Sequence, residues 1–457
     1  MDKRLPEVDI QYSDRLRRVR SKSVDAKYKK TYILCYAFIT LGLMFSILGP
    51  SILLLARLTR RKKEDISYAF TIRGAGYQIT TLLVGFILDK FSVSSPTVIA
   101  IPRNGFLKYI IYRMNGILLT TSIFLMGTCM IITPFVHNYA VFLVLNLITA
   151  IAGGTVDCVS SVFAIRMWGK SATYYVTALH ATYGIGAFVG PFYLQLVQNS
   201  MASFSSRHFP SYINTLSVAY VPIGLFVLTS LLLFAFVPFV DKKSSIREEG
   251  KRLAINDDDT QPVIQADLPW YKDRTQIVVG GLASLSLFLD SAVEGGFNSY
   301  ISMYVFLYQR KHFQSTSSLL VSLYWFVFLC GRLAALPISK KLTIRQIMLP
   351  QGVVCVLVLL FLMLFPNHIT IWICTPILGV AIACQYPCAF SAPTSQLNIK
   401  LSAFITSVMI VSASLGQTVC QTVIVHFLPY MFHILLAIFL FKMIIDVILL
   451  FSFTRRQ

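Results

Sequence analysis

About twelve apolar runs, each of roughly twenty residues or more, divide this chain and alternate with mostly short polar connections. A bilayer core is about 30 Å thick and offers the backbone no hydrogen-bonding solvent. Such runs therefore fold as helices that satisfy their own N–H and C=O groups. Composition agrees. With 56% hydrophobic and 13% charged residues, against about 25% charged in an average soluble domain, the chain cannot cover a water-exposed globule.

The expected architecture is an all-α membrane protein of twelve transmembrane helices in two six-helix bundles. A basic tail covers 1–30, the first bundle 31–240, a charged central loop 241–274, the second bundle 275–453 and a short terminus 454–457. Two sets of six suggest an internal repeat about a pseudo-two-fold axis along the membrane normal, with a solute site at the midplane between them. The best trace of symmetry sets Gly85-Phe86-Ile87-Leu88-Asp89-Lys90, at the end of the second span, beside Ala335-Leu336-Pro337-Ile338-Ser339-Lys340, at the end of the eighth.

The formal net charge is +20, and a soluble chain with 40 Lys and Arg would point to nucleic acid. Here these residues cluster between apolar runs, so the expected partner is the lipid bilayer and no nucleic acid. Their bias toward alternate connections places both termini in the cytoplasm, with Arg57, Arg60, Arg61, Lys62 and Lys63 on the dissenting side. The first thirty residues hold no apolar signal region, so insertion begins with the first span. All nine cysteines fall in apolar runs, as reduced packing residues. Cys384 and Cys388 have no His or carboxylate at ligand spacing, so no metal is expected.

Charged side chains cost about 2.5–3.5 kcal/mol at the centre of a spanning helix, which makes them the first candidates for function. Asp157 lies in the fourth span within Gly153-Gly154-Thr155-Val156-Asp157, on one face with Asn146 and Ser160. That face turns either to a cavity or to a neighbouring helix. The seventh span carries Asp290, Glu294 and Asn298 at successive i, i+4 positions, with Gly295 and Gly296 beside them and Tyr300 and Tyr304 following. Glycines in a spanning helix allow unwinding, and freed carbonyls with carboxylates suit a hard cation such as sodium. The alternative is a salt bridge from Glu294 or Asp290 to Arg73 or Arg332.

In the fifth span His180, Gly184, Ala187, Pro191 and Gln195 share a strip, where His180 either contacts solute or packs. Ser414, Gln417 and Gln421 form an amide-rich face in the eleventh, and amides offer both donor and acceptor to a polyhydroxylated solute. Arg73, Asp89, Lys90 and Arg332 are candidates for gating or a charge network, whereas Lys442 and Asp446 lie one turn apart and neutralise each other. No G-x-x-x-x-G-K-[ST], H-E-x-x-H or G-x-S-x-G motif is present, so neither ATP-driven pumping nor hydrolysis has a basis. The expectation is a carrier rather than an enzyme, without cofactor and driven by a gradient.

These residues also resemble a family. Gly85-x-x-x-Asp89-Lys90, Gly153-Gly154-Thr155-Val156-Asp157, Met167-Trp168-Gly169-Lys170, Leu179-His180, Gly184-x-Gly186-Ala187-Phe188, Glu294-x-Gly296-Phe297, Gly331-Arg332-Leu333 and Ser414-Leu415-Gly416 resemble the sodium-dependent glucose transporter branch of the major facilitator superfamily and its sister domain-containing proteins. The likeness runs from about Gly49 to Gln421. It implies a plasma-membrane carrier that couples sodium entry to hexose uptake by alternating access. Asp157, Asp290 and Glu294 are then the cation candidates, with sodium as the co-transported ion. His180, Asn298, Tyr300, Gln417 and Gln421 are the solute candidates. The chain departs from the family at Asn298, Ser299 and Tyr300, where paired glycines and a tryptophan are usual, and at Gln417, an often acidic position. A proton-coupled carrier or uniporter of another organic solute, or a membrane sensor or scaffold that does not transport, are the rival readings.

Overall fold

The computed structural model describes residues 5–90, 105–168, 172–204, 211–236, 274–309, 316–338, 341–397, 399 and 403–451. The first half contains α1 (Leu5–Ser46), α2 (Leu48–Thr59), α3 (Lys63–Lys90), α4 (Gly105–Ile132), α5 (Tyr139–Trp168), α6 (Ala172–Phe204) and α7 (Ser211–Phe236). The second contains α8 (Arg274–Tyr308), α9 (Ser317–Ile338), α10 (Ile344–Leu364), α11 (His368–Ile382), α12 (Gln385–Ser391), α13 (Ala403–His426) and α14 (Met431–Phe451). Among the described residues nine helical stretches are long and apolar enough to cross a membrane, and α1 with α2 forms a tenth, bent by 49°. α3 and α6, of 28 and 33 residues, are as long but more polar, which is consistent with the expected twelve. The 1–30 segment, read as a tail, is helical from Leu5 and runs directly into the first span. The central loop lies outside the described residues apart from Arg274.

Packing repeats from one half to the other. α1 packs on α6 and α8 on α13, α3 on α5 and α9 on α11, and α4 on α7 and α10 on α14. Each pair in the second half occupies the place of its counterpart six spans earlier, which is the pseudo-symmetry expected of a tandem repeat. The halves meet where α6 faces α9, α3 faces α13 and α2 faces α8.

Two spans are broken. Pro50 has no N–H to offer Ser46, and the first span bends at Ile47 between α1 and α2. Pro387 likewise cannot bond the Ala383 carbonyl, and the tenth span is interrupted between α11 and α12. Each break puts free carbonyls at membrane depth, and both are answered by side chains described below.

Without lipid-phase hydrophobic drive, spanning helices associate through close packing of small residues. At the α1–α6 crossing a Cβ added to Gly42 would strike the Tyr183 carbonyl, and one added to Gly186 the Ile39 carbonyl. The two backbones touch through this reciprocal pair. Gly186→Val is therefore expected to cost about 1–3 kcal/mol and to lower the melting temperature of the detergent-purified protein. An unchanged melt would show that α1 and α6 do not approach this closely.

Candidate functional site

The two intramembrane arginines occupy corresponding helices, α3 and α9, and each closes one of the helix breaks. Arg73 donates from Nη1 to the Met44 carbonyl (3.3 Å), in the last turn of α1, and from Nε to Asn146 Oδ1 (2.7 Å) on α5. Phe45 lies 5.4 Å from its guanidinium. Arg332 donates from Nε to the Ala383 carbonyl (3.4 Å), the one Pro387 leaves free, and sits 4.4 Å from the Phe328 ring centre. Helix-end carbonyls lack intrahelical partners, so a guanidinium suits both places.

Two half-buried carboxylates approach the seam from opposite halves, Asp157 on α5 and Glu294 on α8. Tyr77 of α3 donates its hydroxyl to Asp157 Oδ2 (2.5 Å), and Ser161 reaches Oδ1 (3.4 Å). Gly154 lets α5 lie against the Tyr77 backbone, which brings the two side chains together. Glu294 is within electrostatic range of Arg332. His180 of α6 stands between these groups, feeling both Asp157 and Arg332, and is exposed while its neighbour Leu179 is wholly buried. Phe38 meets the imidazole edge-on at 5.3 Å.

Aromatic rings frame the charges. Tyr183 of α6 and Trp325 of α9 meet across the seam, edge to face at 6.0 Å. Tyr183 and Tyr386 of α12 both lie within electrostatic range of Asp157, Glu294 and Arg332. The Trp325 Nε1 and Tyr324 hydroxyl are buried without a hydrogen-bond partner among the described residues. A midplane site with carboxylates, an imidazole, a guanidinium and unspent donors on aromatic walls is able to hold a small polar molecule in an otherwise apolar setting.

The Major Facilitator Superfamily model matches residues 34–420. The chain belongs to the Major Facilitator Superfamily. Its relatives include sodium-dependent glucose transporter 1 of Xenopus laevis, 24% identical over 384 residues that cover 81% of this chain and 70% of that protein. They also include the human sodium-dependent glucose transporter 1, 23% identical over 415 residues covering 86% and 72%. Major facilitator superfamily domain-containing protein 4A of Xenopus tropicalis is 21% identical over 452 residues covering 87% and 85%. A crystal structure of the superfamily transporter FucP in its outward conformation superposes with a TM-score of 0.58 at 16% identity, covering 93% of this chain and 99% of that one. The chain is thus a multi-pass membrane transporter of a small-molecule solute, and the family and fold are those of carriers rather than enzymes.

The superfamily fold brings together Asp157, His180, Glu294 and Arg332 from the residues singled out in the sequence. It does not bring the others to the same place. Asp290, one turn from Glu294 on α8, is wholly buried beside Lys442 and Asp446 of α14. The anticipated bridges to Arg73 are not formed among the described residues, because Arg73 is bonded to Asn146 and Met44. Asn298 spends its amide on its own helix, donating to the Glu294 carbonyl (2.7 Å). Tyr300 and Gln421 are buried in packing between α8 and α13. The Tyr300 hydroxyl donates to the Gln421 carbonyl (2.8 Å), and the Gln421 amide to Ser299 Oγ (2.7 Å). Gln417 is exposed and rests against Gly295. Asp89 and Lys90 end α3, and their side chains lie outside the described residues.

Sequence reasoning missed Tyr77, Tyr183, Trp325 and Tyr386. Aromatics at helical spacing look the same whether they face a core, lipid or a cavity. Pro387, which frees a carbonyl for Arg332, was the one legible signal in that region.

These placements separate two kinds of variant. Tyr300→Phe and Gln421→Leu are expected to lower the melting temperature, each losing a buried bond worth about 0.5–1.5 kcal/mol. Tyr77→Phe is expected to reduce transport about ten-fold, a loss out of proportion to its fall in melting temperature, because the bond it removes, worth about 1.5–3 kcal/mol, is made to a carboxylate of the seam. Parallel melting and uptake assays test this split; equal uptake in Tyr77→Phe would remove Tyr77 from the site.

Proposed function

We propose that the chain is a cation-coupled secondary carrier of a hexose or a similar polyhydroxylated solute, working at the plasma membrane by alternating access. The observation that carries this reading is the seam cluster, in which Tyr183 and Tyr386 lie within electrostatic range of Asp157 from one half and of Glu294 and Arg332 from the other, with His180 within range of Asp157 and Arg332 and Trp325 against Tyr183. A site contributed by both halves changes when the halves rock, so solute and cation bound there are carried through the same motion.

Roles follow from chemistry. Asp157 and Glu294 supply the negative charge a sodium ion needs. Trp325 and Tyr183 offer flat apolar faces for a sugar ring. His180 and the Trp325 indole N–H supply bonds to hydroxyls. The likeness to the sodium-dependent glucose transporters 1 of Xenopus laevis and human supports hexose and sodium for this chain. Tyr300 and Gln421 serve the site indirectly, by fixing α8 against α13, and Asn298 by bonding within α8.

The end of the seam that carries the α2–α3 turn is held shut by polar contacts. Gln195 Oε1 accepts the N–H groups of Ser318 (3.1 Å) and Leu319 (3.2 Å), and Gln198 Oε1 accepts the Ser318 hydroxyl (3.1 Å). The Thr71 and Thr422 hydroxyls bond at 2.5 Å. With both termini cytoplasmic, this is the extracellular end, and the conformation is the one closed to the outside.

Radiolabelled glucose uptake into proteoliposomes holding the purified protein tests the proposal. An inward sodium gradient is expected to drive accumulation above equilibrium, with a proton gradient as the comparison. Glu294→Gln should abolish accumulation and spare exchange. Absence of uptake across a panel of hexoses would overturn the substrate assignment, and unchanged accumulation in Glu294→Gln would overturn its role.

A further inference from the structure

Away from the seam, the second half contains a polar cluster that neither solute nor coupling ion explains. Asp290, Lys442 and Asp446 are each 0% exposed. Lys442 Nζ donates to Asp446 Oδ2 (2.6 Å) and to Gln385 Oε1 (2.8 Å), while Asp290 Oδ1 is 3.8 Å away, beyond hydrogen-bond reach. Gln385 is itself fixed through its amide N–H on the Met348 carbonyl (2.9 Å). Asp446 Oδ1 accepts the Ser286 hydroxyl at 2.5 Å. The two oxygens of Asp290 accept no hydrogen bond among the described residues.

The charges do not balance. Two carboxylates share one ammonium, and Asp446 has both the closer contact with it and a second donor. Among the described residues the surroundings supply one further cation, Arg332, which is already engaged. α8 contributes Glu294, which is another acid; α9 contributes Tyr324 and Arg332; α10 contributes Cys355; α12 contributes Tyr386 and Cys388. Arg332 is engaged by the Ala383 carbonyl and faces Glu294, so its charge is already answered. An ionised carboxylate without a donor in an apolar interior is strongly unfavourable and is neutralised instead. A metal cation is a poor neutraliser here, because Lys442 already occupies the centre of the oxygen set.

We infer that the Asp290–Lys442–Asp446 cluster is a proton-binding site, holding one proton on the Asp290 carboxyl in this conformation. Protonation converts Asp290 to the neutral acid and leaves Lys442 and Asp446 as a balanced pair. The site lies on α8, one turn from Glu294, so its occupancy bears on the same helix that faces the solute.

Infrared spectroscopy of the purified full-length protein in liposomes tests this without any knowledge of the solute. The wild type at neutral pH is expected to show the carbonyl stretch of a buried carboxylic acid, shifted on transfer to deuterated water. The band should disappear in Asp290→Asn. It should also disappear in Asp446→Asn, where Lys442 becomes the counter-ion of an ionised Asp290, and this second variant reports the same proton if Asp290→Asn fails to fold. Glu294→Gln should retain it, as should replacement of sodium by potassium in the buffer. A wild-type spectrum without such a band, a band that survives Asp290→Asn, or one that is lost on adding sodium would overturn the inference. None of these outcomes depends on hexose uptake, so failure here and failure of the carrier assignment are distinguishable.

Discussion

Every backbone polar group inside a bilayer needs a partner from the protein, and the arrangement of this carrier follows from where the chain breaks that rule. A transporter whose spans were unbroken apolar helices would offer nothing polar at the midplane. Pro50 and Pro387 interrupt two spans, and the neighbouring helices reach in with Arg73, on the Met44 carbonyl in the last turn before the first break, and Arg332, on the Ala383 carbonyl that Pro387 leaves free. An arginine buried for that reason brings a full positive charge to membrane depth. On the second half that charge faces Glu294, and Asp157 and His180 complete the set from the first.

The two halves use the same device to different ends. In the first, Arg73 is held by Asn146, Met44 and the Phe45 ring, and it braces α1, α3 and α5 into one body. In the second, Arg332 makes one long bond to backbone and keeps part of its guanidinium for the seam. Repeat symmetry supplies the position, and the local partners decide whether the charge braces a bundle or faces the seam. The end of the seam at the α2–α3 turn is built from weaker material: amides, hydroxyls and the first N–H groups of α9, all of which water is able to replace when the halves part.

Asp290 and Glu294 illustrate how far residue spacing reaches. At i, i+4 they lie near one face of α8, and spacing alone makes them a pair. The helix, however, is packed on both sides, and a shift of a few tens of degrees is enough to send one acid to the seam and the other into the dry contact with α14. Lys442 and Asp446 could be paired from their own spacing, but a third member from a helix more than a hundred residues away could not. Tyr300 and Gln421 were chosen as polar groups in apolar helices, and that property marks a hydrogen-bonded helix contact as readily as a binding site.

What the sequence determined by itself is the class of fold: the length of the apolar runs, the division by a charged loop, and the scarcity of intramembrane charges that made Asp157, His180, Glu294 and Arg332 visible. These are legible because the bilayer penalises each violation residue by residue, whatever the neighbours are. Tertiary structure alone decided which of the polar groups meet. The seam aromatics, the Arg332–Ala383 contact and the Asp290–Lys442–Asp446 cluster all depend on the rotation of one helix against another, which is set by glycine-sized contacts such as Gly42 with Gly186 and Gly416 with the Phe288 carbonyl. Periodicity assigns a residue to a face; only packing says what that face touches.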